Sequence, residues 1–128
     1  MPKTAFIVRV ARTAAGKRKG ALSHYHPAVL GAKCVDHLVE GFDAALVDDV
    51  IFGCVSQVGS QAANLGRNVV LSSSALPISV PGTTVDRQCG SSQQAIHFAA
   101  QAVMSGTQGV GRVDSTHTAS PCPCRYHT

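Results

Sequence analysis

The residue type best suited to covalent chemistry sits in Thr83-Thr84-Val85-Asp86-Arg87-Gln88-Cys89-Gly90-Ser91-Ser92-Gln93-Gln94-Ala95. A short β-prone run ends in a polar turn, Cys89 follows, and a stretch of small and apolar residues with helical spacing begins. The spacing predicts a thiol at or near a helix N-terminus, where backbone N–H groups lack intrahelical acceptors and the helix dipole is positive. Such a setting favours thiolate over thiol and so makes a nucleophile. A buried structural cysteine is the plainer reading of the same residue. A rival constellation lies at the end of the chain, where His117, Cys122, Cys124 and His127 have the residue types of zinc ligands. Their spacing is tighter and less regular than that of structural zinc sites, so no metal site is assigned to them. His97 lies about two helical turns beyond Cys89, too far along a helix to act as its base. His24, His26 and His37 read as surface residues, and Cys34 and Cys54 fall on apolar runs and read as core.

The elements that must position Cys89 follow from periodicity. Ala5–Val10 reads as a strand and Arg12–Ser23 as a Gly- and Lys-rich loop. From Pro27 to Val39 the apolar positions keep helical spacing, with Pro in the first turn and Gly41 as a stop. Val50–Val55 is a continuous apolar run suited to a buried parallel strand. Gln61–Ser72 reads as a helix and Val80–Val85 as a further strand. Ser92–Met104 reads as a helix whose small residues nearly encircle its axis, as in a helix buried on most sides. The order β-α-β-α-β-α predicts a layered α/β fold with right-handed crossovers. After Gln108 apolar runs and periodicity cease, so residues 109–128 read as an irregular or disordered tail.

Val85-Asp86-Arg87-Gln88-Cys89-Gly90-Ser91-Ser92-Gln93-Gln94-Ala95 resembles the acyl-accepting segment of the thiolases, the acyl-CoA C-acyltransferases. Ala5–Thr13 resembles that family's opening strand, Val50–Val55 its second strand, and Ala75-Leu76-Pro77 the turn after its second helix. Gln61, Asn64 and Arg67 fit the intervening polar segment, while Ala15 stands where the family usually has proline. The resemblance spans about residues 4–108 and implies the N-terminal part of a βαβαβαββ core, incomplete here, with 1–108 a partial thiolase N-terminal domain. It further implies that Cys89 carries the acyl group in Claisen condensation or thiolytic cleavage. Its own N–H would help bind the thioester oxygen, and Gly90 would keep the approach open. The implied partner is acyl-CoA, the implied assembly a homo-oligomer, and no cofactor is expected beyond the coenzyme A thioester substrates. The family's Gly-His-Pro and Cys-x-Gly motifs do not occur in this sequence, so the chain by itself is expected to be poorly active. A non-catalytic, thiolase-like interaction module, or metal binding by the tail, is the alternative.

Composition bounds the rest. The 128 residues suffice for at most one domain, and with no Trp and only 6 aromatic residues the core must rest on aliphatics. Residues 1–35 hold Lys3, Arg9, Arg12, Lys17, Arg18, Lys19 and Lys33 and no acid, whereas the remainder is acidic. Because Ala5–Val10 fits a core strand, this asymmetry reads as a solvated basic loop rather than a targeting segment or a nucleic-acid arm. No apolar run approaches membrane-spanning length, and the 5 irregularly spaced cysteines do not suggest a disulfide framework. Reduced thiols in a cytoplasmic protein are expected.

Overall fold

The computed structural model describes residues 4–109, together with the backbone of 111–115. Its elements run α1 (Pro27–Val39), β1 (Asp49–Gly53), α2 (Leu65–Ser72), β2 (Gly82–Val85), α3 (Ser91–Ser105) and β3 (Gly111–Ser115). The strands form a parallel three-stranded sheet in the order β2-β1-β3. This is the mixed α/β architecture that the periodicity predicts.

The core lies on both faces of β1, and the alternation of its side chains explains why. Val50 and Phe52 are fully buried on one face with Val35 and Val39 of α1 and Leu65, Val69 and Val70 of α2. Ile51 turns to the other face and packs with Ala95 and Ala99 of α3. Burial of an aromatic or aliphatic side chain of this kind contributes about 1.5–3 kcal/mol, so β1 and the helices that clasp it carry much of the fold.

The local boundaries have local causes. α1 starts at Pro27, with the His26 side chain as N-cap: its Nδ1 accepts from the Ala28 N–H at 3.2 Å. It stops before Gly41, which takes the left-handed conformation at φ +71°. α2 begins at Leu65 rather than Gln61, because Asn64 caps it by accepting from the Arg67 N–H at 3.0 Å. β2 begins at Gly82 rather than Val80; Pro81 lacks an N–H, but its carbonyl accepts from the Val50 N–H at 3.1 Å. α3 ends at Gly106, whose left-handed backbone (φ 81°) returns its N–H to the last turn.

Three expectations are corrected. Ala5–Val10 is not a strand: Phe6, Ile7, Val8 and Val10 are 75–85% exposed. β1 is already paired along both edges, by β2 and β3, and has no hydrogen-bonding edge left to offer it. Gly111–Ser115 is a strand where an irregular tail is expected, because parallel pairing to β1 supplies a ladder that local periodicity does not reveal. α3 is buried on one face only; Ile96, Phe98 and Met104 are 43–51% exposed, since a single sheet face covers the helix.

Candidate active site

The turn that carries Cys89 is built from both sides. β2 delivers the chain to Asp86, and α3 begins at Ser91. The Asp86 carboxylate accepts from the Gln88 N–H at 2.8 Å, which supports Gln88 in the left-handed region at φ +47°. The Ser91 side chain is buried beneath the turn. Its Oγ accepts from the Arg87 N–H at 3.0 Å and donates to the Gln88 carbonyl at 2.8 Å. The Gly90 N–H donates to the Arg87 carbonyl at 2.9 Å and closes the loop. The Arg87 guanidinium donates to Oε1 of Gln94, one turn into α3. Asp86 and Arg87 therefore act on the backbone and the helix.

This turn is seated on β1. A Cβ placed on Gly53 would come within 2.5 Å of the Ser92 nitrogen and 2.6 Å of the Ser91 carbonyl carbon. Only glycine lets the first turn of α3 lie against the end of β1. On the other side, Asn64 fixes the start of β2 by donating from Nδ2 to the Gly82 carbonyl at 2.7 Å, and its Oδ1 accepts from the Thr84 hydroxyl at 2.7 Å. Arg67 Nη1 donates to the Val80 carbonyl at 2.7 Å. The polar segment picked out in the sequence thus ties α2 to β2 and so supports the strand leading to Cys89.

Cys89 is exposed, two residues before the first helical residue of α3. Cys34 and Cys54 are both buried. Burial pushes the Cys54 thiol above its ordinary value; a backbone hydrogen bond at Ser56 partly offsets this, and the nearby Asp86 charge adds to it. The Cys54 Sγ donates to Oε1 of buried Gln61 at 3.0 Å. Cys54 is thus an inert thiol beneath the site, and Cys89 is the accessible one. His97 is exposed on α3, and no histidine is hydrogen-bonded to Cys89 among the described residues. His37 pairs on the surface with Glu40 at 3.4 Å. Gly90 has φ −102°, and a Cβ there would meet the Arg87 carbonyl oxygen at an ordinary 3.5 Å, so the described backbone does not itself demand glycine. No metal-binding group occurs among the described residues; the His117, Cys122, Cys124 and His127 constellation lies outside them.

Sequence reasoning missed Ser91 and Gly53. Serine at a helix start is common, and a glycine inside an apolar run signals a close approach without saying of what. Asn64 stands out in the sequence only as part of a polar segment; the expected helix start at Gln61 hides its capping role.

Fold and site together define a parallel α/β domain that presents a cysteine at the entrance to a helix. A protein-family profile described as "Thiolase, N-terminal domain" matches residues 5–113. Steroid 3-ketoacyl-CoA thiolase FadA6 of Mycobacterium tuberculosis is 54% identical over 108 residues, covering 83% of this chain and 26% of that protein. A 3-ketoacyl-CoA thiolase of Psychrobacter arcticus is 44% identical over 108 residues, covering 82% of this chain and 27% of the relative. A beta-ketoadipyl-CoA thiolase of Acinetobacter baylyi is 43% identical over 107 residues, covering 81% and 26% respectively. The chain belongs to the thiolase family and corresponds to its N-terminal domain. It spans about a quarter of the length of these relatives.

Proposed function

We propose that the chain carries the acyl-accepting half of an acyl-CoA C-acyltransferase, with Cys89 as the catalytic nucleophile. The observation that supports this most directly is the exposed Cys89 thiol at the entrance to α3, held by a hydrogen-bonded turn. In the first half-reaction the Cys89 thiolate attacks the thioester carbonyl of an acyl-CoA. The tetrahedral adduct then expels coenzyme A as its thiolate, leaving an acyl thioester on Cys89. By resemblance the Cys89 N–H helps stabilise the developing oxyanion, since the Gly90 and Ser91 N–H groups already donate to the Arg87 and Gln88 carbonyls. In the second half-reaction a carbanion from another acyl-CoA, or coenzyme A itself, takes the acyl group and regenerates the thiolate. The same reading includes a homo-oligomer, a cytoplasmic setting, a place in fatty-acid or other lipid breakdown, and no cofactor beyond coenzyme A thioesters. No substrate-binding residue is assigned.

The test is incubation with acetyl-CoA followed by intact-protein and peptide mass spectrometry. The expected result is one acetyl group on the Cys89 peptide, equimolar release of coenzyme A, and loss of both in Cys89→Ser. No incorporation would reject the first half-reaction for this chain. The half-exposed apolar residues Ile96, Phe98 and Met104 on α3 support a second reading, a non-catalytic module that associates with a full-length thiolase. That reading predicts stable co-elution with such a protein and no acylation.

A further inference from the structure

Among the described residues nothing accepts from the Cys89 N–H, whereas the N–H groups of Arg87, Gln88, Gly90 and Ser91 all have partners within the turn. The direction of that free N–H is set by the carbonyl at the other end of its peptide unit. No peptide bond of the described chain is cis, so the Gln88 carbonyl and the Cys89 N–H point in opposite directions. The Gln88 carbonyl is drawn towards Ser91, accepting from its Oγ at 2.8 Å and from its N–H at 3.3 Å. Ser91 is only 3% exposed and Cys89 is open to solvent. The carbonyl therefore turns into the protein, and the Cys89 N–H turns away from the buried side.

We infer that Ser91 is a positioning residue of the acyl-accepting site: its buried hydroxyl aims the Cys89 N–H at the oxyanion that forms when the Cys89 thiolate adds to an acyl carbonyl. Ser91 has this role only if Cys89 accepts an acyl group, as proposed above, and it acts through the backbone without touching the substrate. The hydroxyl both donates to the Gln88 carbonyl and accepts from the Arg87 N–H at 3.0 Å. It thus grips the peptide units on either side of the one that joins Arg87 to Gln88. That middle unit is held by Asp86, which accepts from the Gln88 N–H at 2.8 Å, and by Gly90, whose N–H donates to the Arg87 carbonyl at 2.9 Å. The turn needs such a grip because Gln88 stands at φ +47°, a conformation unfavourable for a residue with a Cβ. Without the hydroxyl, the Gln88 carbonyl keeps only the longer bond from the N–H of residue 91, and the Gln88–Cys89 peptide gains freedom to rotate. A donor stabilises a developing oxyanion most when it is already aimed, because no reorganisation is then needed during the reaction.

The test compares two reagents on Cys89 of the full chain, p-nitrophenyl acetate and iodoacetamide, with the Cys89 peptide quantified by mass spectrometry. With the ester, the thiolate adds to the carbonyl, the oxyanion forms and collapses, and p-nitrophenolate leaves as the acetyl thioester is made. With iodoacetamide, the thiolate displaces iodide from carbon and no oxyanion forms. Ser91→Ala is expected to lower the ratio of the acetylation rate to the alkylation rate about tenfold. Ser91→Thr, which keeps the hydroxyl, should hold that ratio within about threefold of the parent. A serine that merely supports the turn would slow both reagents alike, so an unchanged ratio in Ser91→Ala overturns the positioning role. A ratio that falls as far in Ser91→Thr as in Ser91→Ala overturns it too. Should Ser91→Ala fail to fold, Ser91→Cys decides: a thiol fills the space but donates weakly, so the ratio should fall, and an unchanged ratio rejects the role. Neither reagent carries coenzyme A, so a failure of acetyl-CoA to label Cys89 rejects the acyltransferase reading while the ratio still decides the role of Ser91.

Discussion

Gly53→Ala tests whether the seat of α3 on β1 positions the turn that carries Cys89. The added methyl would sit 2.5 Å from the Ser92 nitrogen and 2.6 Å from the Ser92 Cα, and both are backbone atoms of the first helical turn. A flexible side chain would swing aside, but these atoms move only with the helix or the strand. Overpacking of this kind costs about 1–3 kcal/mol, and replacing glycine within a strand returns about 0.5–1 kcal/mol of backbone entropy. The net expectation is a loss of about 1 kcal/mol, read from the urea midpoint by circular dichroism with the slope unchanged. Gly16→Ala is the control: an added Cβ there meets nothing within 4 Å, so it should stay within about 0.5 kcal/mol of the parent. Because Ser91 also holds the Arg87–Gln88 turn, displacement of α3 should lower the alkylation rate of Cys89 in Gly53→Ala and leave it unchanged in Gly16→Ala. If Gly53→Ala matches the control in both measurements, α3 is not seated on Gly53 and the account of the site fails.

Three further expectations follow from the same contacts. Burial alone would raise the Asp36 carboxyl, but hydrogen bonds from the Ser73 and Ser74 hydroxyls and the Ser74 and Ala75 N–H groups outweigh it and hold it below its ordinary value. A depressed folded-state value gives stability that is present above the unfolded value, about 3.9, and is lost as pH falls through the folded one. Asp36→Asn should therefore cost about 1 kcal/mol at neutral pH and flatten the loss of stability in acid, as read by urea unfolding at several pH values. A limiting amount of iodoacetamide should modify Cys89 while sparing Cys34 and Cys54 until urea is added; peptide mapping that finds Cys54 modified first would contradict its burial. Gly90→Ala should leave the urea midpoint within about 0.5 kcal/mol, since its Cβ has room, so any fall in acetyl transfer to Cys89 would report on thioester access.

The site was more legible than the sheet. Cys89 and the helix beyond it stand out because residue type and local periodicity mark them, and the apolar run at β1 marks a strand buried on both faces. Pro27 is a local signal too: a first-turn proline acts within a few residues of itself. Strand pairing is different, because it depends on which edges remain open after the rest of the chain has packed. Ala5–Val10 has the composition of a strand yet lies outside the sheet, whereas Gly111–Ser115 lacks that composition and is in it.

The sequence by itself determined the thiol, the helix it introduces, the alternation of helix and strand between residues 27 and 105, and the aliphatic residues that form the core. These rest on residue chemistry and on spacing along the chain. Tertiary structure decided that α3 is covered on one side only, that Gly53 is the floor beneath the first turn of α3, and that Cys54 is shut away while Cys89 is open. It also decided which segment holds the outer edge of β1. Each of these depends on atoms distant in sequence meeting in space, and a row of backbone hydrogen-bonding groups accepts one partner at a time.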